Sequence, residues 1–71
     1  LAINRKLLTD RDFEEAAANR TRLRVFKDDH LVESGSIIVR FDETTVVLQS
    51  NVSDLTYYSR GECEFFELRR G

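Results

Sequence analysis

The sequence predicts an α+β fold. An N-terminal helix, about residues 10–19, precedes a small, strongly bent five-stranded antiparallel barrel over about residues 21–68. Three observations lead there. A helix-entry signal at Thr9 opens a short apolar stripe of helical period. From Thr21 the apolar period changes to two, and polar turns interrupt it every few residues. Finally, 71 residues (8.3 kDa) hold one small core, so residues 1–71 read as a single domain. A domain of this size buries only about 60% of the surface its unfolded chain exposes.

Each element follows from local chemistry. Leu1 to Leu8 is a short mixed segment. The Thr9 hydroxyl is placed to accept from the Asp12 N–H, and Asp10, Asp12, Glu14 and Glu15 sit where the helix dipole favours anions. Leu8 and Phe13 have the spacing of a hydrophobic staple. Phe13, Ala16 and Ala17 form the apolar stripe, and the helix should fade near Asn19 or Arg20. Leu23 and Val25 alternate with Arg22 and Arg24 in a first strand. Lys27-Asp28-Asp29-His30 is a turn. Residues 31–41 form a longer strand with Ile37, Val39 and Phe41 on one face and Ile38 and Arg40 on the other. Gly35 inside it permits a bend or bulge. Asp42-Glu43-Thr44 turns into a strand from Thr45 to Gln49. Ser50 to Asp54 turns again, Leu55 to Tyr58 extends, Ser59-Arg60-Gly61 interrupts, and a last strand runs from Glu62 or Cys63 to Leu68.

Composition excludes several classes. With 41% hydrophobic and 34% charged residues the chain is globular in character, and no apolar run approaches the ~20 residues of a membrane span, so no membrane partner is expected. The single cysteine, Cys63, excludes a disulfide framework and points to a reducing, cytoplasmic setting. In that setting the triplets Asn19-Arg20-Thr21 and Asn51-Val52-Ser53 carry no glycosylation meaning. The lack of any methionine, even at position 1, points to a start lost in processing. Net charge is −2, but residues 1–27 carry +3 and residues 28–71 carry −5. Polyanion binding therefore needs a local basic patch, since lysines and arginines must neutralise phosphates.

Phe41-Asp42-x-x-Thr45-Val46-x-Leu48 across the second turn, behind a helix and within five bent strands, resembles the Sm-like superfamily, and within it the bacterial Hfq-like RNA chaperones. Arg60-Gly61 is similar to the Arg-Gly before the last strand of archaeal and eukaryotic Sm proteins. The resemblance spans roughly residues 9–68 and implies the bent Sm-like barrel, a ring-forming oligomer and RNA as a partner. It also has departures. Gly35 precedes Phe41 by six residues where the family has five, which requires a bulge or a shifted register. Glu43 and Thr44 fall where Hfq holds and stacks a uracil; the former repels phosphate and the latter has no π-face. Tyr57-Tyr58-Ser59-Arg60 keeps tyrosine at a second RNA-contacting place but lacks its lysine–histidine pair.

Candidate residues follow from spacing. Arg20, Arg22 and Arg24, two apart, would project from one strand face as a basic stripe, or pair across the sheet with Glu62, Glu64 or Glu67. Arg60, Tyr57 and Tyr58 extend the nucleic-acid reading; Arg69 and Arg70 could prolong the stripe. Aromatics in strands more often pack than stack on bases. Phe26, Ile38, Tyr58 and either Phe65 or Phe66 lie on second faces of strands, more apolar surface than one small interior absorbs. Phe26, Ile38, Phe65 and Phe66 are thus the candidate interface, and a homo-oligomer that also hides strand edges is expected. Asp28, Asp29 and His30 lack the further ligands of a metal site. Cys63, flanked by Glu62 and Glu64, lacks the electropositive surroundings of a reactive thiol. With no nucleophile–base spacing, phosphate loop or ligand set, no enzyme, cofactor or metal is expected. The sequence favours a self-associating protein-interaction or regulatory module. The alternative is an RNA-binding Sm- or Hfq-like protein using the arginine stripe.

Overall fold

The computed structural model describes residues 5–50 and 53–68. Helix α1 (Asp10–Ala18) is followed by strands β1 (Leu23–Lys27), β2 (His30–Phe41), β3 (Thr45–Gln49), β4 (Leu55–Ser59) and β5 (Cys63–Glu67). All neighbours are antiparallel, in the order β4-β3-β2-β1-β5. Asn51, Val52, Arg69 and Arg70 lie outside the described residues.

The helix begins and ends as its residues dictate. The Thr9 hydroxyl accepts from the Asp12 N–H at 3.2 Å, and the Asp12 carboxylate accepts from the Leu8 and Thr9 N–H groups at 2.9 and 3.0 Å and from the Arg5 guanidinium. At the other end Thr21 N–H donates to Ala16 C=O and Arg20 N–H to Ala17 C=O, with Arg20 at φ 52°. That is a Schellman closure with arginine in the left-handed position that glycine usually takes. Phe13 and Ala16 are buried and Ala17 packs on the same core. The expected Leu8 staple is replaced: Leu8 is 68% exposed and Leu7 is buried. Residues 5–7 run as an extended segment beside β5, with Leu7 N–H donating to Phe65 C=O and Glu67 N–H to Arg5 C=O, so alternation turns Leu7 inward and Leu8 outward.

β2 is long enough to serve both halves of the sheet, pairing with β1 through its first part and with β3 through its last. Gly35, at φ 86°, is the extra residue between the Leu23–Ser36 and Arg24–Ser34 pairs, the bulge its sequence position suggests. A second extra residue, Val32, lies between the Val25–Glu33 and Phe26–Leu31 pairs, and a third, Val39, between the partners of Leu48 and Val47. The Val39 bulge reverses the parity of the strand. Ser36 and Ile38 face the core before it and Phe41 packs against the core after it, while Val39 is exposed. The expected common face of Ile37, Val39 and Phe41 is therefore not formed.

The core joins Leu7, Phe13, Ala16, Leu23, Val25, Ile38, Val46, Leu48, Cys63 and Phe65. Phe13 lies tilted against Phe41 (ring centroids 5.8 Å apart) and edge-on to Phe65 (5.4 Å), so α1 covers the opening between the end of β2 and β5. The expected closed barrel does not form. β4 and β5 are joined by only Arg60–Glu62 yet sit at opposite edges of the sheet. The Phe65 C=O and Glu67 N–H groups are already bonded to residues 5–7. The curled sheet thus stays open along that seam.

Two short connections carry testable backbone strain. A Cβ at Gly35 would meet nothing within 4 Å, so substitution there costs only the left-handed conformation. Gly35→Ala should lower stability by roughly 1 kcal/mol in denaturant melts, and Gly35→Asn by less. Asp28 and Asp29 form a two-residue hairpin loop with φ of 52° and 65°, the type I′ geometry. Asp29→Gly should raise stability by roughly 0.5–1 kcal/mol, seen as a higher melting temperature.

Candidate interaction face

Alternation along the strands divides the charged and aromatic candidates between two surfaces. Leu23 and Val25 point inward, so Arg24 and Phe26 point outward from β1 beside Phe66 and Glu64 of β5. Phe26 and Phe66 meet edge-to-face at 5.6 Å and half-bury each other. Ile38 and Phe65 are in the core at 4% and 2% exposure, so of the four candidate interface residues only Phe26 and Phe66 face outward.

The arginines do not form one stripe. Arg20 closes the helix, and Arg22 lies before β1 with its guanidinium donating to Gly35 C=O at 2.8 Å. Arg24 lies within β1, with its Nε buried and without a hydrogen-bond partner among the described residues. Arg60 serves a different purpose. Its guanidinium stacks over the Phe13 ring at 4.4 Å and donates at 2.7 Å both to Asp10 Oδ1 and to Asp42 C=O. It ties the start of α1, the β2–β3 turn and the β4–β5 turn together, and only 15% of its side chain is exposed. Removing it withdraws a desolvated cation–π contact and charge-assisted bonds. Arg60→Ala should cost about 2 kcal/mol in a denaturant melt, and Arg60→Lys, without the planar fork, should recover less than half.

Asp42 of the Phe-Asp pair is a turn cap. Its Oδ1 accepts from the Thr44 and Thr45 N–H groups at 2.9 and 2.8 Å and from the Thr44 hydroxyl at 3.2 Å. Glu43 and Thr44 are exposed beside it. Backbone N–H donors, Thr44 then Thr45 at Asp42 and Leu8 then Thr9 at Asp12, hold both carboxyls below their ordinary value of 3.8. A depressed folded-state value contributes stability above the unfolded value and loses it as pH falls through the folded one. Melting temperature should therefore be steady above about pH 5 and drop below about pH 4, less steeply in Asp42→Asn than in the parent chain.

Tyr57 and Tyr58 part company. Tyr57 is 60% exposed on the outer face, whereas Tyr58 turns inward and donates to Glu33 Oε1 at 2.9 Å. The same Glu33 carboxylate accepts from the Ser36 hydroxyl, and Ser36 is fully buried. This Tyr58–Glu33–Ser36 group was not legible in sequence, because Ser36 sits between residues whose alternation assigned it outward. Burial first, then the Glu33 hydrogen bond, raises the Tyr58 phenol to about 12. Its contribution is complete below the unfolded value of 10.0 and is lost as pH rises to about 12. Melting temperature should fall over that interval, and Tyr58→Phe should flatten the fall. Burial also pushes the Cys63 thiol up, away from reactivity at neutral pH.

What remains outward on β2, β3 and β4 is largely apolar. Ile37, Gln49 and Leu55 form one cross-strand row, and Arg40, Val47 and Tyr57 the next. Val39, Leu55 and Tyr57 are 45%, 51% and 60% exposed. A depression of about 200 Å³ lies among Arg40, Asp42, Val47 and Tyr57. A larger one, about 400 Å³, lies at the far side between residues 6–8, Phe13 and the β4–β5 turn. Among the described residues, no group of three His, Cys, Asp or Glu side chains gathers as a metal site, and no helix is long and apolar enough to cross a membrane. No family model matches the chain, and neither the curated proteins nor the solved structures include a detectable match.

Proposed function

We propose that this chain is a small, self-associating, non-catalytic module for protein interaction or regulation, built on an Sm-like plan. The observation that carries the reading is the outer face of β2–β4, where Val39, Leu55 and Tyr57 stand exposed on one side of a fold in which Arg22 and Arg60 are held by its own backbone and rings. Exposed apolar surface whose Arg40–Val47–Tyr57 row carries a single arginine suits a protein partner better than a polyanion.

Several features support the Sm-like plan. A helix precedes five bent strands, and the Phe41-Asp42-x-x-Thr45-Val46-x-Leu48 run places Phe41, Val46 and Leu48 on the core and Asp42 as cap of the turn. The six-residue spacing from Gly35 to Phe41 is accommodated by the Val39 bulge. Arg60-Gly61 sits in the β4–β5 turn.

The RNA-binding alternative draws on Arg22 and Arg24 outward near β1 and on Tyr57, but two strands lie between them. Light scattering of the purified chain should give a mass above 8.3 kDa, rising with concentration. A fluorescent poly-U or poly-A oligonucleotide at low salt should show no binding. A monomeric mass at all concentrations would sink the self-association reading. Salt-sensitive oligonucleotide binding that is lost on neutralising Arg22 and Arg24 would establish the alternative.

A further inference from the structure

We propose that β4 pairs with β4 of a second copy, two-fold about Thr56, so that the assembly is a closed dimer and not a ring. The proposal rests on the self-association reading above, replaces the ring that the Sm-like resemblance implies, and names its partner and register. The sheet has two edges, β4 and β5. The β5 edge is occupied from within the chain, where Phe65 C=O and Glu67 N–H bond to residues 5–7. A head-to-tail ring needs two different open edges, whereas a two-fold contact needs only one, used twice.

The parity of β4 sets which groups are offered. Arg60 N–H donates to Thr44 C=O and Ser50 N–H to Asp54 C=O, which places the hydrogen-bonded pairs with β3 at the even-numbered residues of this register. Thr56 and Tyr58 thus bond inward to β3, while the N–H and C=O groups of Leu55 and Tyr57 point away from the sheet. No described strand pairs with that side. Leu55 and Tyr57 thus offer two donors and two acceptors, spaced two residues apart. Antiparallel alignment with Thr56 opposite Thr56 sets Leu55 against the other copy's Tyr57, and Tyr57 against its Leu55, closing four N–H···O bonds.

The side chains suit that register. Leu55 and Tyr57 both stand on the outer face, so each exposed leucine meets an exposed tyrosine across the new ladder, with the two threonines paired on the inner side. Exposed edges normally carry lysine, proline or an inward charge against such pairing, and Leu55-Thr56-Tyr57-Tyr58-Ser59 carries none. A single five-residue strand supplies less than the ~800 Å² per partner of a standard interface, so the dimer should be weak, with Kd on the order of 100 µM.

Sedimentation and light scattering from about 10 µM to 1 mM, with residue-resolved amide exchange by NMR, test this. The expected mass approaches twice 8.3 kDa, and the Leu55 and Tyr57 amides become protected as concentration rises, while those of Thr56 and Tyr58 are protected throughout. Tyr57→Lys, at an exposed site, should weaken association at least about tenfold with an unchanged circular-dichroism spectrum. If that variant fails to fold, the wild-type exchange pattern alone decides. Association beyond a dimer, or association that leaves the Leu55 and Tyr57 amides unprotected, would overturn the β4 pairing and leave the self-association reading standing. A monomer across the whole range would overturn both. A monomer whose Leu55 and Tyr57 amides are protected only by an added extended peptide would assign the edge to a different occupant and also overturn the proposal.

Discussion

The structure depends on one constraint, that β2 must belong to two half-sheets at once. A strand of twelve residues can pair with β1 at one end and β3 at the other only if it bends sharply between them. Gly35 supplies the bend because its left-handed backbone costs nothing without a Cβ. Val39 then adds a residue and exchanges the faces, so that Phe41 packs on the same core as Ile38. From this follow the inward Ser36, the Glu33 carboxylate placed to receive both Ser36 and Tyr58, and the outward exposure of Val39. An interior polar group is tolerable here because each hydroxyl finds the same acceptor.

The charged residues work mainly as fasteners. Arg60 ties the β4–β5 turn to the β2–β3 turn, the start of α1 and the Phe13 ring, Arg22 holds the Gly35 carbonyl, and Arg5 lies between Asp12 and Glu67. Such use ties these three guanidinium groups to the fold instead of leaving them free for a phosphate backbone. The Arg5 segment has a second effect, since its backbone covers β5 and leaves β4 as the one open edge among the described residues.

Much of the architecture could be read locally. Thr9 with Asp12 marked the helix start, the Phe13–Ala16–Ala17 stripe marked its buried face, and the turns at Asp28–Asp29 and Asp42–Thr44 lie where the polar residues put them. Gly35 announced its bulge. The missed features are non-local. Nothing beside Val39 signals a bulge, because an exposed and a buried valine look alike in an alternating run. Leu7 and Leu8 are chemically equivalent, and only pairing with β5 chooses between them. Arg20, Arg22 and Arg24 share a two-residue spacing, yet the first ends a helix and only the last belongs to a strand.

The amino-acid sequence by itself determined one helix, five strands and the places where they turn, because caps, periodicity and left-handed turn residues act over a few neighbours. Tertiary structure alone decided which side of β2 faces inward, whether the barrel closes and what each arginine holds. Those outcomes depend on backbone and side-chain groups that come together from opposite ends of the chain, such as Lys6 beside Phe66 and Arg60 above Phe13. No local pattern contains their geometry.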